Sequence, residues 1–172
     1  GINGALIKYL AQYRSEGRTS EANSFLKAGL TLNILASAIL TVLIYISSGY
    51  LANQVFHQPE IQVLIQVSSL NLIAMSLLNT ARSIFIGYER MKLVSLMVIT
   101  QSIIKSTLSP VLVYFGYGAF GAATGHTAAI LVTGIVGVIL IQFTYLKQGT
   151  DTPSTINFIE ASKTLLSYGA PL

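Results

Sequence analysis

The sequence contains no cysteine and few charged residues, and each shortage excludes a class of protein. Without cysteine there can be no disulfides, no thiolate metal sites and no cysteine nucleophile. Only 9% of the 172 residues are charged, whereas 52% are hydrophobic, and the mean hydropathy is +0.66. This composition leaves too little polar surface for a water-soluble domain of this length. We therefore expect a membrane protein.

Long stretches without charge divide the chain into membrane spans. No charged residue occurs between Lys27 and Glu60, or between Lys105 and Lys147, and a bilayer span requires about 20 apolar residues. The pattern predicts an all-α, polytopic bundle of transmembrane helices with four complete spans and two partial ones. The predicted ranges are 1–13 (partial), 25–48, 61–86, 91–114, 120–146 and 164–172 (partial).

The basic residues predict how the chain is oriented. Apart from Arg82 and Lys105, the lysine and arginine residues lie at or near alternate gaps between the spans. This asymmetry is typical of cytoplasmic loops in multi-pass proteins of the plasma or inner cell membrane. It predicts cytoplasmic loops near 14–21, 87–92 and 147–163. Because the cations are dispersed, we expect contact with membrane lipids and no binding of nucleic acid.

Glycines and small polar residues in the spans favour close helix packing. Gly87 is placed to end the helix before the tight turn GYERMK. Gly121 and Gly125 have the spacing of tightly packed helices, which we favour over a binding loop. Asn33 and Thr41 share one face of the first complete span, where such residues commonly join helices by hydrogen bonds.

Two polar stripes are the candidate substrate-binding surface. Asn71, Asn79 and Arg82 share one face of the second complete span, and Gln101 and Lys105 share one face of the third. Hydrocarbon does not solvate such groups, so these faces should turn toward one another or toward water. We predict that the five residues line a cavity, with hydrogen bonding between helices as the alternative.

The two cations within spans indicate the charge of the substrate. A lysine at mid-span costs about 2.5–3.5 kcal/mol on insertion scales, and Lys105 lies roughly 14 Å along the helix from Tyr114, too far to reach the interface comfortably. Arg82 is near enough to Gly87 to reach the cytoplasmic surface. For this residue, a position facing a cavity and a position at that surface both stay open. No acidic residue lies inside the predicted spans. We therefore expect an anionic substrate such as a phosphate or pyrophosphate, since cation pathways usually need carboxylates.

Catalytic residues, metal ligands and cofactors are not expected. His126 has no second histidine or carboxylate at ligand spacing, so an interior hydrogen-bonded role is favoured over a metal site. The six acidic residues fall at predicted loops or interfaces, which leaves no evident acid and base pair for an enzyme.

Four segments together resemble a known family. They are GINGALIKYLAQYRSEGR at a helix end, LANQVFHQPE in an outer loop, IFIGYERMKLVS across an inner turn, and LLSYGAPL entering a helix. The chain resembles the polysaccharide biosynthesis proteins, the Wzx-type lipid-linked oligosaccharide flippases of the MATE-like (multidrug/oligosaccharidyl-lipid/polysaccharide exporter) superfamily. The resemblance covers essentially all 172 residues.

The resemblance implies a fold and a function. The chain would be most of the N-terminal lobe of a MATE-like flippase, an internal fragment whose first helix and second transmembrane lobe lie outside the sequence. Such proteins move isoprenoid-diphosphate-linked glycans to the outer leaflet by alternating access, and Arg82 and Lys105 fit the anionic headgroup. The alternatives are a drug/cation antiporter of the same superfamily, a membrane-embedded enzyme that modifies glycans or lipids, and a structural membrane subunit.

Overall fold

The structure, a computed structural model, describes residues 2–146 and 158–169, and within these ranges the regular elements are all helical. This confirms the predicted all-α class. The π-helical turns Leu51–Val55, Val113–Tyr117 and Gln142–Leu146 extend three of the helices, and the 3-10 turn Pro59–Ile61 precedes another. The six α-helices are α1 (Ile2–Ser15), α2 (Thr19–Tyr50), α3 (Gln62–Gly87), α4 (Met91–Leu112), α5 (Gly118–Ile141) and α6 (Phe158–Gly169).

Three continuous helical segments are long and apolar enough to cross a membrane, which confirms the membrane bundle. The segments are Thr19–Val55, Pro59–Gly87 and Met91–Tyr145. The third joins α4 to α5 through a reversal at Gly116, whose φ is 90°, and Gly118, whose φ is 51°. Glycine adopts such positive φ angles without a steric penalty, so these two positions allow the chain to turn back within a few residues.

The contacts of α5 show that α4 and α5 form an antiparallel hairpin. A Cβ atom built on Gly125 would lie 2.7 Å from the Cα atom of Ser109, and one built on Gly137 would lie 2.6 Å from the Cε atom of Met97. Later residues of α5 thus contact earlier residues of α4, as in an antiparallel pair. The packing role predicted for Gly125 is confirmed.

The helix ends differ from the predicted boundaries. The loop predicted near 14–21 is shorter, because α1 continues to Ser15 and α2 begins at Thr19. The loop predicted at 147–163 needs a larger correction, since residues 158–163 belong to α6. In α6, Ala161 is buried against the bundle whereas Lys163 is exposed. Residues 147–157 lie outside the described ranges.

The polar stripe on α2 joins helices to one another. The Nδ2 atom of Asn33 donates to the Oδ1 atom of Asn3 on α1 at 3.1 Å. The Oγ1 atom of Thr41 donates to the carbonyl oxygen of Ser69 on α3 at 3.2 Å, and the hydroxyl of Ser76 donates to the carbonyl of Asn33 at 2.9 Å. The hydrogen-bonding role predicted for this stripe is confirmed.

Gly87 has a different role from the predicted helix cap. The left-handed residue after α3 is Glu89, with a φ of 56°, and the amide of Arg90 donates to the carbonyl of Phe85 at 2.8 Å. This is the Schellman arrangement, centred two residues beyond Gly87. A Cβ atom on Gly87 would lie 2.8 Å from the Cβ atom of Leu10. Gly87 is therefore needed for the close approach of α1 and α3.

Candidate functional site

The structure joins two of the five predicted site residues directly. The Nη2 atom of Arg82 on α3 donates a hydrogen bond to the Oε1 atom of Gln101 on α4. The Nε atom of Arg82 is buried and has no hydrogen-bond partner among the described residues. Arg82 therefore reaches sideways to a neighbouring helix and keeps an unused donor inside the bundle.

Lys105 lies one helical turn beyond Gln101 on the same side of α4. Its side chain is exposed, and no ion pair to it is found within residues 2–146 and 158–169. The Nδ1 atom of His126 on α5 is buried and unpaired among the described residues. An ammonium in the middle of a span is costly to leave facing lipid.

The two asparagines lie at different distances from this group. Asn79 is exposed one turn from Arg82 on α3, whereas Asn71 is half-buried and lies roughly 16 Å along the helix from Arg82. The Oδ1 atom of Asn71 is buried without a partner in the described part of the chain. The structure thus groups Arg82, Gln101 and Lys105, and leaves Asn71 at a distance.

A second polar cluster lies where α1 and α3 end and α2 and α4 begin, which we call the basic end of the bundle. The guanidinium of Arg14 donates to the carbonyl oxygen of Tyr88 and pairs with Glu89 at 3.3 Å. Burial raises the pKa of Tyr88 to about 12. Hydrogen bonds to Glu21 raise the pKa of Arg18. The contacts of Arg14 tie α1 to the turn between α3 and α4.

Cavities open at both ends of the bundle. One of about 660 Å³ lies at the basic end between the start of α4 and the end of α5. Its lining residues are Glu89, Arg90, Met91, Lys92, Leu93, Thr144 and Tyr145. An apolar groove of about 400 Å³ lies between α2 and α3 at the opposite end. The sequence indicated the basic loop at Arg90 and Lys92, but it did not show that α5 ends beside them.

A search against family models identifies the chain. The model described as "Polysaccharide biosynthesis protein" matches residues 1–172. The chain belongs to this family. The match confirms the resemblance seen in the sequence, and it covers the two polar stripes, the basic end and the hairpin of α4 and α5.

This member of the polysaccharide biosynthesis protein family is also similar to a curated protein. The chain is 21% identical over 193 aligned residues to "Lipid II flippase MurJ" of Bacillus subtilis (strain 168). The alignment covers 99% of the chain and 36% of that relative, so the chain spans about a third of the relative's length. No solved structure matches the chain significantly.

Proposed function

We propose that this chain is part of a flippase that moves a lipid-linked oligosaccharide or polysaccharide precursor across the cell membrane by alternating access. Membership of the polysaccharide biosynthesis protein family and the name of the curated relative support this reaction class. The observation that carries the proposal is the grouping of Arg82, Gln101 and Lys105 on neighbouring helices within the membrane. The basic end would face the cytoplasm, in keeping with its excess of cations.

The charges within the bundle suit an isoprenoid diphosphate. Arg82 and Lys105 lie within membrane segments. Glu21 and Glu60 lie in the first turns of the segments that contain them, at the two ends of the bundle. A guanidinium has five N–H donors, and Gln101 accepts from one of them. The remaining donors of Arg82 and the exposed ammonium of Lys105 can therefore form charge-assisted hydrogen bonds with phosphate oxygens.

The amides would contact the neutral part of the substrate. Asn79 is exposed beside Arg82, and Gln101 has an amide nitrogen free to donate when its oxygen accepts from Arg82. Asn71 lies further along α3 and would meet sugar hydroxyls. We assign the five residues to one substrate path that is completed by the second lobe. No covalent step is needed, so no cofactor takes part.

The absence of cysteine makes a direct test at position 105 possible. We expect Lys105→Cys to react with a water-soluble thiol reagent in one orientation of the intact protein, because the lysine lines a hydrated cavity. Substrate carrying the diphosphate should slow the labelling. The measurement is the labelling rate in inverted and right-side-out vesicles, on a background in which any cysteine outside this chain has been replaced.

Ile103 provides a matched control for the labelling, since it is an exposed apolar residue on the same helix. A cysteine at position 103 should resist the reagent where it faces lipid. Lys105→Ala should reduce flipping of the lipid-linked glycan at least about tenfold, the loss expected for one charge-assisted hydrogen bond. Complete protection of position 105 in both vesicle orientations, together with normal flipping, would remove Lys105 from the substrate path.

A further inference from the structure

The cavity at the basic end has the size and position of a ligand site. Its volume of about 660 Å³ falls within the range of roughly 300–1,000 Å³ that small-molecule sites occupy. Its walls come from two parts of the chain: Arg90 immediately precedes α4 and Lys92 lies in its first turn, whereas Thr144 and Tyr145 belong to the turn that follows α5. It is therefore built by the fold and is not a feature of one loop.

Among the described residues, the positive charges that line this cavity lack ion-pair partners, whereas its negative charge has one. Arg90 and Lys92 are both exposed, and neither forms an ion pair in the described part of the chain. The carboxylate of Glu89 also lines the cavity, but Arg14 pairs with it at 3.3 Å. Two cations consequently remain to attract an anion.

Uncharged donors complete the site. The hydroxyl oxygen of Tyr145 is buried and has no hydrogen-bond partner among the described residues. The ring of Tyr145 is held in place by stacking on Tyr88, with 4.0 Å between the ring centroids. The first turn of α4 has no side-chain cap, so its amides and the positive end of its dipole add to the attraction. Tyr145, which carries this unpartnered hydroxyl, lines the same cavity as Arg90 and Lys92, and this combination suits a phosphate group.

The position of the cavity favours a membrane lipid as the source of a bound phosphate. It lies where α3 ends and α4 begins, at the boundary of two membrane segments, and tyrosine rings collect at this depth of the bilayer. We propose that the cavity binds the phosphate headgroup of an anionic membrane phospholipid through Arg90, Lys92 and the hydroxyl of Tyr145. Basic pockets between transmembrane helices on the cytoplasmic side take such headgroups.

This lipid site is distinct from the substrate path. Lys92 and Lys105 lie roughly 20 Å apart along α4, at 1.5 Å per residue. A resident phospholipid would hold the start of α4 against the end of α5, while the proposed substrate contacts are made deeper in the bundle. Loss of the lipid site and loss of substrate transport can therefore be measured separately.

Lipid binding can be measured by fluorescence quenching in nanodiscs, because the chain has no tryptophan of its own. Met91→Trp places a reporter in the wall of the cavity, and the intact protein without this change supplies the background. Quenching by brominated phosphatidylglycerol is compared with quenching by brominated phosphatidylcholine. We expect the anionic lipid to bind several-fold more strongly. R90Q/K92Q should lower this preference by at least about fivefold, since each cation near the membrane surface contributes to the attraction of anionic lipid.

A matched pair of substitutions separates the cavity from the general charge of the protein. K27Q/K163Q removes two exposed cations on α2 and α6, and it should leave the preference unchanged. Tyr145→Phe, which removes only the hydroxyl, should weaken the preference without abolishing it. Folding is checked by the elution profile of each variant in detergent.

Three results would overturn the proposal. The first is equal quenching by the two lipids, and the second is a preference that survives R90Q/K92Q. The third combines two observations: the tryptophan reporter responds to millimolar inorganic phosphate in phosphatidylcholine nanodiscs, and quenching shows no preference for the anionic lipid. That result would assign the cavity to a soluble phosphate. None of these results bears on labelling at position 105.

Discussion

Replacing Gly125 by alanine should destabilise the bundle by about 1–3 kcal/mol, the usual cost of forcing extra volume into a well-packed interior. The added Cβ atom would lie 2.7 Å from the Cα atom and 2.9 Å from the amide nitrogen of Ser109. These are backbone atoms of α4, so no side chain can rotate to relieve the contact. The two helices would have to separate along the hairpin, which would loosen the other close contacts of α5.

Gly4 is the matched control for this prediction, because a Cβ atom there meets nothing within 4 Å. In α1, Gly4→Ala should be neutral or stabilise by up to about 1 kcal/mol through its better helix propensity. The measurement is the folded fraction of each variant of the intact protein during titration with sodium dodecyl sulfate in mild detergent. Equal stability of the two variants would contradict the packing assigned to Gly125.

Much of the fold could be predicted because a bilayer imposes simple rules. Uncharged stretches indicated the helical class, and the glycine spacing in α5 indicated close packing. The start of α6 was missed because Glu160 and Lys163 interrupt its apolar pattern. Those charges are exposed, while Ala161 and Leu165 are buried against the bundle. Next to the polar sequence that precedes it, an amphipathic helix therefore resembled a continuation of that polar sequence.

The candidate site could be predicted only in part, since periodicity shows which residues share a face but not what that face contacts. Asn33 and Thr41 form a polar stripe like that of Arg82, yet their partners are neighbouring helices of this chain. The Arg82 bond to Gln101 joins two stripes that the sequence placed on separate spans. The cavity at Arg90 depends on where α5 ends, and this follows from the tertiary packing of the hairpin.

Replacing Arg82 by alanine should reduce flipping of the lipid-linked glycan by about 10- to 150-fold, because the proposed charged hydrogen bonds to the diphosphate would contribute roughly 1.5–3 kcal/mol. Arg82→Lys should fall between the native protein and the alanine variant. Lysine keeps the charge but lacks the planar fork that matches two phosphate oxygens. The measurement is the flipping rate per folded protein in proteoliposomes.

Gln101→Ala distinguishes a substrate contact from a link between α3 and α4. If Arg82 serves mainly to hold Gln101, either alanine substitution breaks the same hydrogen bond, and both should lower stability and transport alike. If Arg82 binds the diphosphate, Gln101→Ala removes only a neutral hydrogen bond to the substrate and should reduce transport by about two- to tenfold, less than Arg82→Ala does. Similar losses in the two single variants, with no further loss in the double variant, would contradict the substrate role of Arg82. A large loss for Arg82→Ala alone would place the positive charge, and not the hydrogen bond to α4, in the transport step.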